Sequence, residues 1–168
     1  QSSNIGTIQV QARIGNPVHY AYLDRFGLGA STGSGLPAEA PGQLQPVNQW
    51  CATTCGPSTA IGYRVGVTPL QMAGGYAVFA NGGYSVQPYL IAKIQDASGA
   101  VIQETIRPAA PPENQRVIDQ RNAFVVDTML RAVTLYGTGA AASDRLGRTD
   151  IAGKTGTATE WYDAWFCG

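Results

Sequence analysis

The sequence predicts an α/β chain of the α+β kind, with helices packed on an antiparallel sheet. Two helix signals and two hairpin signals carry that prediction. The first helix opens at Thr68-Pro69-Leu70-Gln71. Thr68 suits an N-cap, Pro69 the first turn, and Gln71 completes a capping box. Met72, Ala73, Tyr76, Ala77, Phe79 and Ala80 give this helix an apolar body, and Asn81-Gly82-Gly83 stops it. The second helix covers residues 119–136, with Val126, Met129, Leu130 and Val133 on one face and Gly137 as its stop. The hairpins are residues 84–95 with 100–104, around the turn Asp96–Gly99, and residues 151–159 with 161–167 across a tight turn.

The other elements are weaker. Ile5, Ile8 and Ala12 recur at helical spacing in residues 1–15, with Ser2–Asn4 at the N-terminal edge, where such residues cap. A short helix is expected over residues 17–26, ended by Gly27 and Gly29. Residues 27–67 read as irregular, because Gly, Pro, Ser and Thr dominate them. Gly74-Gly75 costs a helix about 1 kcal/mol at each glycine against Ala, so close backbone packing is expected there. Pro88 marks a strand edge or end. Residues 105–116 form a Pro-rich connector, and residues 137–150 a loop of small residues.

With 168 residues, the chain is one domain or part of one. Charged residues are 13%, well below the usual quarter, and there are 21 glycines. The fold must therefore be turn-rich and held by neutral polar groups. A balance of 11 basic against 11 acidic residues argues against nucleic acid or an anionic membrane as the main partner. No apolar run approaches the about 18 residues of a spanning helix. The opening Gln1-Ser2-Ser3-Asn4 has no basic n-region, and the chain reads as part of something longer. Cys51 and Cys55 suit either a local disulfide in an oxidising compartment or two small apolar residues beside Trp50. No metal and no cofactor is expected, since the sole histidine, His19, lies far away in sequence.

Gly153-Lys154-Thr155-Gly156-Thr157 is the stretch with chemistry in it. A phosphate loop needs two glycines five apart before the lysine and a helix after it. The glycine before Gly153 is Gly147, six away, and the residues after Lys154 are Thr-rich and aromatic, as in strands. In a strand, residues 154, 156 and 158 share one face and 155, 157 and 159 the other. Gly156 leaves a gap beside the lysine. An anionic or carbonyl-bearing substrate suits that edge, laid along the strand.

Lys154-Thr155-Gly156-Thr157 resembles the KTG(T) box of penicillin-binding proteins and serine β-lactamases, and Ser2-Ser3-Asn4 resembles their S-x-N box. Residues 66–73 and 76–83 resemble the helix between these boxes in transpeptidase domains. Residues 26–44 are similar to monofunctional, cell-division-type members and residues 162–166 to bifunctional ones, so the subclass stays open. The resemblance covers nearly the whole chain. It implies a β-lactamase/transpeptidase-like fold, here incomplete, with residues 1–168 as the C-terminal part of the domain.

That resemblance also implies roles. Ser2 relays a proton to the leaving group, and Asn4 binds the substrate's backbone amide. Lys154 supplies positive charge near Ser2. The Thr155 and Thr157 hydroxyls bind the substrate carboxylate beside Gly156, and the Thr157 N–H is half of an oxyanion hole. The nucleophile lies in an S-x-x-K box upstream of Ser2, so these 168 residues alone are expected to be inactive. The implied function is a serine D,D-transpeptidase that cross-links peptidoglycan stem peptides ending in D-Ala-D-Ala and is acylated by β-lactams. It would work on the outer face of the bacterial cytoplasmic membrane, anchored outside this chain, in a cell-wall synthesis complex. The alternatives are a serine β-lactamase, for which Glu113-Asn114 is a poor deacylating base, and a penicillin-sensing domain without catalysis. Plainer readings stand beside these: capping for Ser2 and Asn4, a solvated strand lysine for Lys154, core packing for Trp161, Trp165 and Phe166, and a packing or surface role for His19.

Overall fold

Helices and short antiparallel strand pairs alternate along the chain. The structure is a computed structural model and describes residues 2–106, 110–158 and 163–168. In order, the elements are α1 (Asn4–Arg25), β1 (Gln43–Leu44), α2 (Cys55–Ala60), β2 (Val65–Gly66), α3 (Pro69–Ala80), β3 (Lys93–Gln95), β4 (Val101–Glu104), α4 (Gln120–Tyr136), α5 (Ala140–Leu146), β5 (Lys154–Thr157) and β6 (Ala164–Cys167). Strands pair as β1 with β2, β3 with β4 and β5 with β6, all antiparallel. The antiparallel pairing is as expected, in three small sheets.

The two strongest predicted helices are present with their predicted ends. Thr68 accepts from the Gln71 N–H at 3.1 Å while Gln71 Oε1 accepts from the Thr68 N–H at 2.9 Å, closing the capping box of α3. Asp119 caps α4 through the Arg121 N–H at 2.8 Å, and Gly137 ends it. The two weak N-terminal helices are one run, α1, kinked at Gly15 where φ is 77° and the helical ladder is interrupted. Its cap is Ser3, whose Oγ accepts from the Gly6 N–H at 3.1 Å, so neither Ser2 nor Asn4 caps it.

Several expectations fail for physical reasons. Residues 27–67 are not wholly irregular: α2 and the β1–β2 pair lie in them, with a 3-10 turn at Val47–Gln49. The 137–150 loop contains α5, whose three alanines are the best of helix formers. Strand order in 84–95 is confined to β3, because Tyr84 instead bridges to Arg116. Gly74 faces open space, and a side chain on Gly75 would meet Phe26 only at ordinary contact distance, so neither glycine serves a close approach. On the apolar face of α4, Met129 is exposed while Val126, Leu130 and Val133 are half-buried, and Trp165 and Phe166 of β6 are exposed and so are not core. The turn joining the last hairpin, with Trp161, lies outside the described residues.

The interior bears out the compositional reading. The largest fully buried side chains are Gln71, Val78 and Thr134, two of them neutral and polar. Cys51 and Cys55 form a disulfide that closes the approach to α2. His19 packs edge-on against Trp50 at 5.7 Å, and burial lowers its pKa.

Candidate active site

The C-terminal half of α4 sets where β5 begins. Thr134, fully buried, donates its hydroxyl to the Ile151 carbonyl at 2.5 Å, and the Leu130 carbonyl accepts from the Gly153 N–H at 3.3 Å. Gly153 has room for no side chain, since a Cβ there would overlap the Phe166 ring and the Cys167 carbonyl. Tight packing on both sides therefore fixes the backbone immediately before Lys154. β5 then pairs with β6 in the register Lys154 with Cys167, Thr155 with Phe166, Gly156 with Trp165 and Thr157 with Ala164.

Onto this strand folds the opposite end of the sequence. Lys154 Nζ donates to Ser2 Oγ at 2.5 Å, across 152 positions of chain. It also donates to the Thr155 carbonyl at 2.7 Å and reaches Thr155 Oγ1 at 3.5 Å. Because Ser3 takes the capping role, the Ser2 hydroxyl is available to the lysine. A serine oxygen that accepts from Lys154 keeps its own proton, for which no acceptor stands among the described residues. Thr155 Oγ1 in turn lies 3.0 Å from Thr138 Oγ1, in the turn between α4 and α5.

Backbone alternation adds a row of donors. The Ala158 N–H donates to the Asp163 carbonyl at 2.8 Å, which makes positions 158, 156 and 154 the ones that bond across to β6. The N–H groups of 153, 155 and 157 therefore point to the other edge. The Gly153 N–H does so, on the Leu130 carbonyl. Thr155 and Thr157 present theirs along the same edge, beyond α4. Among the described residues, Gly156 has no neighbour within 4 Å of where a side chain would stand, so the predicted gap in the strand is open.

Of the residues singled out in the sequence, Ser2, Lys154 and Thr155 are brought into contact. Gly156 and Thr157 lie exposed further along β5. Asn4 stands exposed in the first turn of α1, and its side chain has no hydrogen-bond partner among the described residues. Lys154 is not the solvated strand lysine of the plainer reading; it is half-buried with three oxygen contacts. Thr138 escapes a reading of the sequence, because a Thr between two glycines looks like any turn residue. Glu113 is held by Arg116 and accepts from the Tyr84 hydroxyl, and the Arg116 hydrogen bonds lower its pKa.

Comparison with known proteins agrees with this geometry. The family model for the penicillin binding protein transpeptidase domain matches residues 1–168. Penicillin-binding protein 1A of Neisseria flavescens is 38% identical over 168 residues, covering 99% of this chain and 18% of the relative. Penicillin-binding protein PbpB of Mycobacterium tuberculosis is 36% identical over 165 residues, covering 95% of this chain and 23% of the relative. The crystal structure of penicillin-binding protein 3 from Mycobacterium tuberculosis, complexed with aztreonam, superposes with a TM-score of 0.81 at 34% identity, over 99% of this chain and 39% of that one. A complex of the same protein with ampicillin also gives 0.81. The chain thus spans about a fifth of the length of these curated relatives. With a family match along its whole length, and two boxes that meet in space, the chain belongs to the penicillin-binding protein transpeptidase domain family.

Proposed function

We propose that this chain forms one wall of a serine D,D-transpeptidase site that cross-links peptidoglycan stem peptides and is acylated by β-lactams. The observation that carries the reading is the contact of Lys154 Nζ with Ser2 Oγ, which joins the S-x-N and K-T-G-T boxes into one polar edge. Support also comes from the aztreonam and ampicillin complexes of the Mycobacterium tuberculosis homologue. No S-x-x-K occurs in the sequence, since its two lysines, Lys93 and Lys154, follow Leu90 and Ile151 by three. The nucleophilic serine is accordingly assigned to a segment upstream of Ser2.

In this reading that serine's oxygen attacks the carbonyl between the two D-alanines. A C–O bond forms and the C–N bond breaks. The proton that the attacking serine gives up ends on the departing D-alanine amine, passed through Ser2, which Lys154 holds in place. The Thr157 N–H stabilises the oxyanion, a donor worth about 2.7–4 kcal/mol in such transition states. Thr155 and Thr157 hydroxyls hold the terminal carboxylate, and Asn4 the substrate amide. The amine of a second stem peptide then attacks the acyl-enzyme, forms the cross-link and releases the serine. A β-lactam breaks its own ring C–N bond in the first step, so no fragment departs.

The reaction is assigned to the outer face of the cytoplasmic membrane, within a cell-wall synthesis complex and through an anchor elsewhere. The Cys51–Cys55 disulfide supports an oxidising compartment. No described helix is long and apolar enough to cross a membrane. Fluorescent penicillin tests the reading on the full-length protein. A stable adduct at the upstream serine is expected, followed by cross-linking of a D-Ala-D-Ala peptide. Rapid release of the label would make the protein a β-lactamase; a stable adduct without cross-linking would make it a sensor. The isolated 168 residues are expected to take no label, and an adduct on Ser2 or Ser3 would overturn that assignment.

A further inference from the structure

We infer that Thr138 is a positioning residue that aims the Thr155 hydroxyl proton at the substrate carboxylate; the inference rests on the transpeptidase reading above. Hydrogen-bond valence is the reason. A threonine hydroxyl has a single proton and two lone pairs. Thr155 Oγ1 has Lys154 Nζ at 3.5 Å and Thr138 Oγ1 at 3.0 Å. Lys154 can only donate. If Thr138 donates as well, both Thr155 lone pairs are used. The Thr155 proton then has one direction left, away from both neighbours. A carboxylate is the acceptor that gains most from a hydroxyl whose proton is fixed before it arrives.

The turn that carries Thr138 is built to hold it. The carbonyl of Val133 in α4 accepts from both the Gly137 N–H at 3.1 Å and the Gly139 N–H at 3.0 Å. The chain thereby doubles back over the helix end. A Cβ at Gly137 would crowd the Val133 backbone at 2.9 Å, so the glycine is what lets this turn close. The same helix end fixes β5, through Thr134 on the Ile151 carbonyl and the Leu130 carbonyl on Gly153. Thr138 and Thr155 are thus both referenced to the last turns of α4. Thr138 itself is exposed, so burial does not explain its placement.

The test compares acylation rates of the full-length protein by benzylpenicillin and by its methyl ester, which lacks the anionic carboxylate. Thr138→Val keeps the shape and removes the hydroxyl. It is expected to slow acylation by the acid about three- to tenfold, the scale of one hydrogen bond, and to leave the ester rate within about twofold. Thr138→Ser is expected to restore the wild-type ratio of acid to ester. Equal slowing of both ligands, or no slowing of either, overturns the inference, because a structural role does not distinguish acid from ester. Should the valine variant fail to fold, Thr138→Ala is read by the same ratio. A wild-type protein that neither ligand acylates overturns the transpeptidase reading itself.

Discussion

Gln71 and Lys154 are both long side chains that tie distant segments together with neutral oxygens, yet they work in opposite ways. Gln71 is buried and saturated. Its Nε2 donates to the carbonyls of Ala30 at 2.6 Å and Pro41 at 2.7 Å, and its Oε1 accepts from the Thr68 N–H. Every hydrogen bond its side chain makes is to a backbone group, and both of its amide protons are spent on them. Lys154 is half-buried and touches Ser2, which is exposed and keeps a free proton. Beyond it, Thr157 is exposed with no side-chain partner among the described residues. Saturated valence in a dry place makes structure, because an unmade bond there costs the full desolvation of the group. Open valence at a wet edge makes a binding site.

That contrast predicts which variant damages what. Lys154→Ala is expected to slow penicillin acylation of the full-length protein by about 10²- to 10³-fold, with the urea midpoint nearly unchanged. A midpoint that falls as far as the rate would make the lysine structural and remove the contrast. Gln71→Leu is expected to do the reverse. It removes the donor from the Ala30 and Pro41 carbonyls and the acceptor from the Thr68 N–H, all in part-buried bonds, so it costs about 1–3 kcal/mol of stability, read from urea denaturation. Acylation by the fraction that remains folded is expected to stay near wild type.

How much of each node is legible in the sequence depends on the range of its contacts. The capping box of Gln71 with Thr68 is local, and its spacing is readable. The same side chain's hold on Ala30 and Pro41 is not, because nothing in a Gly- and Pro-rich loop says which carbonyl will need a donor. At the site, strand alternation places Lys154, Thr155 and Thr157 correctly on β5. The meeting of Lys154 with Ser2 comes only from the family resemblance, since no local rule joins residues 2 and 154. The Ser2–Asn4 cluster does sit at a helix start, with Ser3 as the member that caps, so the plainer reading of Ser2 and Asn4 themselves as caps fails. α5 is hidden because Ala140–Leu146 is too short to show a period, although its alanines favour helix.

Thr134 lies between the two kinds of node. It is as buried as Gln71, and its one hydroxyl proton is shared between the Ile151 carbonyl at 2.5 Å and the Arg131 carbonyl at 2.9 Å, yet Ile151 leads straight into β5. Thr134→Val keeps the shape and leaves the Ile151 carbonyl without its donor. The expected loss is about 1–2 kcal/mol in urea denaturation. Acylation should slow by less than about tenfold, because Gly153 still bonds to Leu130. A rate loss as large as that of Lys154→Ala would mean that the α4 contact, and not the lysine, sets the site.

The smallest expected effect concerns acid, and it falls on the Gln71 side. The loop between the two carbonyls that Gln71 holds contains Glu39, whose carboxylate accepts from the Thr32 N–H at 2.7 Å and from the Ser31 and Ser34 hydroxyls at 2.9 and 3.1 Å. Hydrogen bonds from Thr32, and then from Ser31 and Ser34, lower its pKa from 4.5 to about 2. A carboxylate whose pKa is depressed on folding stabilises the folded state above its unfolded pKa. That stabilisation is lost as pH falls from about 4.5 towards about 2. Hydrogen exchange at residues 30–41 should therefore quicken relative to α4 across this window, once corrected for intrinsic rates. Glu39→Gln should flatten the dependence, since an amide does not titrate there. If the loop loosens equally in Glu39→Gln and in the wild type, acid acts elsewhere. If it does not loosen at all, the two bonds from Gln71 hold the loop without help from the carboxylate.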